Sequence, residues 1–390
     1  VNVNAKGNSL SSKVQVERAT YDSLSIDGLS LTSVTKPGAL ENTLRVQHGE
    51  GPPSYQLTVQ AKREGQATTL HIAPEGFVLD KEEWTADPKN LLRLAAIGGV
   101  RAEHFDLNSK EQRVEVVTSE NSTRINVSGL RFGALLNFVA SSDSTAFAAG
   151  ELSGSVDLPT DHAPGLKADL KVHDIALMGN PLGALSITAH EAARKHYAAQ
   201  VALKNGKNTL EGQATIDAAG NSPVVHGQAD VDLTDLAVFE PFTKAYLYEM
   251  AGGIHGKLRY DKEGRKSALN GDLTFADTRL GILATRSLFR LNRESLHFDD
   301  QGIHLKRFTM KDSLDHVFTL DGDIFTTDLS DLRFDLSLRT DSVHLVGSRR
   351  GDNDLFYGDV LAGLDLTITG TSHLPKLKGD VRILKRTDLS

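Results

Sequence analysis

Cysteine is absent from the 390 residues. That excludes disulfides, thiolate chemistry and zinc sites built on thiolates. It leaves the compartment open, although it suits an oxidising one. No window approaches the ~20 apolar residues that a spanning helix needs, and the N-terminus shows no basic-then-apolar signal. No charge of one sign dominates. The 43 basic and 51 acidic residues give a net charge of −8 and are interspersed along the chain. There is no basic stripe, so nucleic acid is not an expected partner, and no block of like charge that would form a tail. Apolar residues, at 39 %, fall below the usual globular share. They suffice for one face of a large sheet and are thin for several closed cores. The length points to two or three units or to one repetitive structure. Val1 opens in strand-like sequence and Ser390 closes without a terminal device, so the chain reads as a segment of something longer.

What is present is alternation with a period of two. In residues 225–234, Val225, Gly227, Ala229, Val231 and Leu233 alternate with His226, Gln228, Asp230, Asp232 and Thr234. In 332–339, Leu332, Phe334, Leu336 and Leu338 alternate with Arg333, Asp335, Ser337 and Arg339. Similar runs cover 55–62, 166–173 and 254–261. Side chains of a strand point to opposite faces in turn, so each run predicts one wet face and one dry face. Asp27-Gly28, Asn205-Gly206, Glu263-Gly264 and Asp321-Gly322 supply turn chemistry between the runs. The spacing predicts about 25–30 strands. Three windows break the pattern as short helix candidates: 87–97, which opens on Asp87-Pro88, then 132–140 and 240–250. The last two are expected to cover an open edge or a rim.

A longer repeat underlies the strands. Gly150, Leu152 and Gly154 are matched 102 residues later by Gly252, Ile254 and Gly256, and Gly358 and Gly363 follow more loosely. Long internal periods point to an array whose neighbours cover one another. No linker rich in Pro, Ser or Gly separates the copies.

From about Asn126 onward these repeats resemble the TamB branch of the AsmA-like bacterial envelope proteins. The strongest stretch holds Asn353, Asp354, Leu355, Phe356, Tyr357 and Gly358, then Leu366, Ile368 and Gly370, then Pro375, Leu377 and Gly379. Leu269, Gly271, Leu273 and Phe275 are similar to it, as are Phe318, Leu320, Gly322 and Ile324. The resemblance implies an all-β fold: a long antiparallel sheet curled into an open groove, a β-taco, with a few short helices. It divides the chain into 1–124, matched only in general style, and 125–390, with repeats near 125–224, 225–331 and 332–390. It further implies a periplasmic protein anchored in the inner membrane, phospholipid as cargo, a role in outer-membrane protein assembly, and an Omp85-type outer-membrane barrel as partner. The helix that would anchor such a protein and the domain that would meet the barrel do not match any part of this sequence.

The residues support the same expectation without the family. A one-faced apolar sheet must bury that face against another sheet, against itself or against acyl chains. Each buried methylene contributes about 0.8 kcal/mol without directional preference, so an acyl chain can slide along an aliphatic lining. Strand spacing limits the trough to ~120–140 Å. The expected lining comprises Leu166, Leu170, Val231, Leu233, Leu258, Leu273, Phe275, Phe298, Phe318, Leu320, Ile324, Leu332, Phe334, Leu336, Leu366 and Ile368. Neither catalysis nor a cofactor is expected. His190 and His196 are six residues apart, not the four that a zincin helix requires. His173, His226, His255 and His304 alternate with apolar residues and belong on the wet face. Asp299-Asp300 and Asp352-Asn353-Asp354 lack the spacing of a calcium loop. Ser153 and Ser155 lack the Gly-x-Ser-x-Gly setting. Arg349-Arg350 reads as a polar loop. The alternative is a tandem array of β-sandwiches used for binding or adhesion, in which the same aliphatics are simply core.

Overall fold

The computed structural model describes the chain except for residues 1, 7–8, 22–23, 48–50, 96–98, 138–139, 142–147, 160–164, 245, 265, 284, 327–330, 350–357, 386 and 390. Strands hold 75 % of the residues and helices 4 %, so the fold is all-β and antiparallel, as the alternation predicts. The chain forms two compact units, Val1–Leu203 and Lys204–Ser390. This division does not follow the repeat. The strand Ser122–Arg131 straddles residue 124 and pairs with Gln112–Thr118 on one side and Ala148–Pro159 on the other.

In the first unit, consecutive hairpins run from Asn2–Lys6 to Tyr55–Glu64, and there the sheet forks. The end of Tyr55–Glu64 pairs with Ala67–Ile72, while Gln56 near its start pairs with Val78 of Phe77–Leu79. One branch continues through Leu91–Ala95 to Val100–Glu103, the other through Glu82–Ala86 to Phe105–Ser109. The fork is filled by Phe77, Trp84, Ala86, Phe105, Leu107 and Val116, with Leu57, Ile72 and Leu79 packed against them. Asn90 is 1 % exposed and ties the fork together. Its amide donates to the carbonyls of Ile72 and Asp87, and its carbonyl oxygen accepts the Ile72 N–H.

The second unit is a simple meander. Strands from Asn208–Asp217 to Pro375–Ile383 pair in sequence order, with one strand split in two. Ser287–Leu291 and Ser295–Phe298 act as two halves of one strand beside Lys266–Ile282. The break falls at Arg293, whose φ is 63°, and Phe275 bridges it by accepting the Arg293 N–H and donating to the Glu294 carbonyl. Neighbouring strands also leave the extended region at this level, at Asp277 (φ 45°) and Arg307 (φ 48°). These bulges bend the sheet along one crease. Beyond the crease the sheet returns on itself, and a seam forms: the Gly347 N–H donates to the Thr285 carbonyl, and Ser287 Oγ donates to the Leu345 carbonyl. Phe289, Phe318, Val343, Ala362 and Leu364 fill the space so enclosed, with the Phe289 and Phe318 rings edge to face at 5.1 Å.

The three helix candidates are corrected by the structure. Within 87–97, Asp87 to Asn90 form a turn in which the Asp87 carboxylate accepts the Lys89 N–H, and Leu91–Ala95 is a strand. Pairing with Ala67–Ile72 outweighs the local cap-and-proline signal. Within 132–140, Phe132–Leu135 makes a single 3-10 turn. Within 240–250, the α-helix spans only Glu240–Thr243, after the 3-10 turn Leu236–Phe239, and Leu247 already begins a strand. Helices this short gain little from their own hydrogen bonds, because nucleation is costly.

Candidate functional site

The register of the second unit assembles apolar residues into rows that run across the strands. Gly212, Ala229, Leu258, Gly271, Phe298, Ile303, Ile324, Phe334, Gly370 and Pro375 are successive cross-strand partners. The row contains no polar side chain, and none of its members is buried. Its span across the strands is roughly 43 Å at the usual strand spacing. Two residues along, Leu210, Val231, Gly256, Leu273 and Leu296 form a second row, and Leu305, Gly322, Leu336, Ile368 and Leu377 form a third. Leu210 is 40 % exposed.

One residue to the side, the opposite face carries a polar row: Asp230, Lys257, Asp272, His297, His304, Asp323 and Asp335. Here acidic and basic side chains mostly face one another, although Asp323 also stands opposite Asp335. Lys257 meets Asp230 at 2.6 Å, His297 meets Asp272 at 2.9 Å, and His304 meets Asp323 at 2.6 Å. His304 also reaches Asp299 at 2.8 Å. Its hydrogen bonds to Asp299 and then Asp323 raise its pKa above the ordinary imidazole range, and the bond from His304 holds Asp299 low. All seven histidines of this unit, His226, His255, His297, His304, His316, His344 and His373, have an Asp oxygen within 2.9 Å. Among the described residues, no three His, Asp or Glu side chains gather as metal ligands would.

The expected lining residues fall into two environments. Val231, Leu233, Leu258, Leu273 and Phe298 are half-buried and lie outside the closed clusters. Phe318 and Leu336, at 5 % and 7 % exposed, are core. Phe275, Leu320, Ile324, Phe334 and Ile368 pack against Leu291, Leu305, Phe308 and Leu336, and Leu366 packs against the Phe289 cluster. Leu332 lies just before the strand Arg333–Ser348, where its carbonyl accepts the Ser372 N–H. In the first unit, Leu170 stands between Gly154 and Ile187 on the apolar face, and Leu166 lies just before its strand, its carbonyl bonded by the Glu191 N–H. His190 and His196 are exposed on either side of the turn at 194–195. The motif around Asn353–Tyr357 lies outside the described residues.

Several lining residues had gone unnamed. Leu210, Leu296 and Ile303 extend the rows of the second unit. In the first unit, Val14, Leu31, Leu44 and Leu57 form a row of their own, with Leu31 40 % and Leu44 39 % exposed. Beside it, Thr43 and Thr58 share a hydrogen bond on the polar face, and Arg45 donates twice to Gln56. The Leu210 signal was diluted because Gly212 and Ala214 follow it. The Leu31 signal was legible as alternation but carried no family motif.

The class defined by this fold and face is an all-β protein whose antiparallel sheet is apolar on one side and charged on the other. Comparison with family models, with curated proteins and with solved structures finds no match.

Proposed function

We propose that this chain is a non-catalytic lipid-handling segment of a bacterial envelope protein. Its apolar sheet face accepts the acyl chains of phospholipid in the periplasm. The observation that carries the reading is the ten-position row from Gly212 to Pro375, which is apolar throughout and in which no residue is fully buried. At roughly 43 Å the row is longer than the ~15 Å half-thickness of a bilayer core, so one acyl chain would not fill it. Leu210, half exposed beside Val231, offers a point of entry. The resemblance to TamB-like proteins adds passage between inner and outer membranes, support of outer-membrane protein assembly, and an Omp85-type barrel as partner, with the full-length protein anchored in the inner membrane.

Native mass spectrometry of the gently purified chain is expected to show bound phospholipid. A photocrosslinking residue at Leu210 is expected to label lipid, and one at Glu211, on the opposite face, is not. Equal labelling at both positions, or protein that never carries lipid, would sink the reading. A second reading, β modules that bind protein or glycan, draws on the self-filled cluster around Phe289, Phe318 and Ala362. It predicts no lipid at Leu210.

A further inference from the structure

The apolar face of the second unit finishes differently at its two ends. Over the strands Asn208–Asp217, Val224–Leu233, Leu247–Glu263 and Lys266–Ile282, the register stacks five cross-strand rows on that face. The first, Leu233, Ile254 and Phe275, abuts the filled core, where the Phe275 ring meets Phe308 edge to face at 5.7 Å. The next two are the rows through Leu273 and through Leu258. Then come Ala214, Gly227, Tyr260 and Leu269, and last Ile216, Val225, Lys262 and Ser267. Across these five rows Lys262 is the only charged residue, and hydroxyls occur only at Tyr260 and Ser267. Every polar side chain on this part of the face therefore stands at the end remote from the core.

The hairpin at Gly264 does not account for Lys262. On the opposite face Glu263 stands across from Lys266, and their charges offset. Lys262 stands between Val225 and Ser267, is exposed, and has no hydrogen-bond or ion-pair partner among the described residues. The carboxylates next to it in sequence, Asp261 and Glu263, take the opposite face, where Asp261 is bound by His226 at 2.7 Å. A tyrosine and a lysine at the end of an apolar surface form the arrangement met where hydrocarbon gives way to headgroups. An acyl chain as long as the ~15 Å half-thickness of a bilayer core, laid along the strand from Lys262 at ~3.4 Å per residue, ends between Leu258 and Gly256. It stays on the apolar rows and clear of Phe275.

We propose that this face selects an anionic phospholipid, whose tail lies along the strands and whose phosphate is held by the Lys262 ammonium, with the Tyr260 and Ser267 hydroxyls donating to its oxygens. This rests on the reading of the face as an acyl-binding surface, and it adds the charge of the lipid and the direction in which it lies. A lipid with no cation of its own, such as phosphatidylglycerol, gains more from the lysine than phosphatidylcholine, whose trimethylammonium already sits beside the phosphate. The chain as a whole carries a net charge of −8 and repels anionic lipid, so a preference for it must come from a local group.

The test incubates the full chain with equal amounts of phosphatidylglycerol and phosphatidylcholine of identical acyl chains in neutral detergent micelles, and native mass spectrometry reads the ratio bound. The parent is expected to hold phosphatidylglycerol in about fivefold excess, the scale set by one lysine beside an anionic lipid. Lys262→Gln is expected to bring the ratio near one while the total lipid bound stays the same, and Lys262→Glu to favour phosphatidylcholine. Lys257→Gln, which removes the partner of Asp230 on the opposite face, is expected to leave the ratio unchanged. Far-UV circular dichroism checks that these variants, altered at exposed positions, fold. A parent that binds lipid without an excess of phosphatidylglycerol overturns the proposal and leaves the acyl-binding reading in place. So does an excess that survives Lys262→Gln, or one that falls equally with Lys257→Gln. A parent that binds neither lipid overturns both.

Discussion

At the scale of single residues, the strongest constraint is a buried carboxylate. Asp312 is fully buried, and its side chain accepts the N–H groups of Leu314, His316 and His344 and the His316 ring nitrogen. Burial pushes its pKa up, but these bonds outweigh burial and hold it below the usual carboxylate range. A depressed folded value means that the stabilisation is present above the unfolded value and is lost as pH falls through the folded one. Asp312→Ala should therefore cost about 2–4 kcal/mol at neutral pH, read from urea unfolding, and less in acid. His304 has the opposite sign. Its raised value means that the stabilisation is complete below its ordinary 6.5 and fades as pH rises through the folded value. His304→Asn is expected to remove that decline as pH rises above the ordinary 6.5, measured as the shift of the unfolding midpoint.

At the scale of elements, the close pairing of the strands leaves some positions where only glycine fits. Gly322 has φ +125°, and a Cβ there would lie 2.1 Å from the Asp335 carbonyl oxygen. Gly322→Ala should cost about 2 kcal/mol or more, because the obstacle is backbone and cannot move aside. Gly264→Ala, at a turn with φ +61° and open space, is the control and should cost about 1 kcal/mol. Thermal unfolding of the two variants checks the difference. Strands were legible in the sequence because alternation is a local signal. Leu332–Arg339 and Val225–Leu233 needed no partner to be recognised. The window at 87–97 failed for the opposite reason: its capping signal is local, while the contacts of Asn90 and Leu91–Ala95 join residues about 20 positions away. The pairing of His255 with Asp232 was invisible for the same reason, since register decides it.

At the scale of the whole molecule, period-two alternation reveals which face a side chain takes but not whether that face is covered. Leu258 and Leu336 read alike in sequence. The first is half-buried outside the filled clusters, while the second is 7 % exposed inside one. The difference arises from Leu291, Leu305 and Phe308, which close over Leu336 through contacts of long sequence separation that no local pattern announces. The division into two units also offers a clean readout. The single tryptophan, Trp84, is buried in the first unit. Its fluorescence should report that unit alone, while far-UV circular dichroism reports both. In urea, Asp312→Ala should lower the midpoint of part of the dichroism change and leave the Trp84 transition in place. A fluorescence midpoint that moves equally would show that the two units unfold as one.

The strand Pro375–Ile383 is exposed at every residue, with Leu377 at 63 % and Val381 at 53 %, and it pairs only with Gly358–Thr371 among the described residues. Unsatisfied backbone groups along such a border make it a template for stacking between molecules. The cationic Lys376, Lys378 and Arg382 act as gatekeepers there, since two such borders brought together would repel. Concentrated solutions should accordingly stay clear at low salt and turn cloudy as added salt screens those charges, with Lys378→Val clouding first.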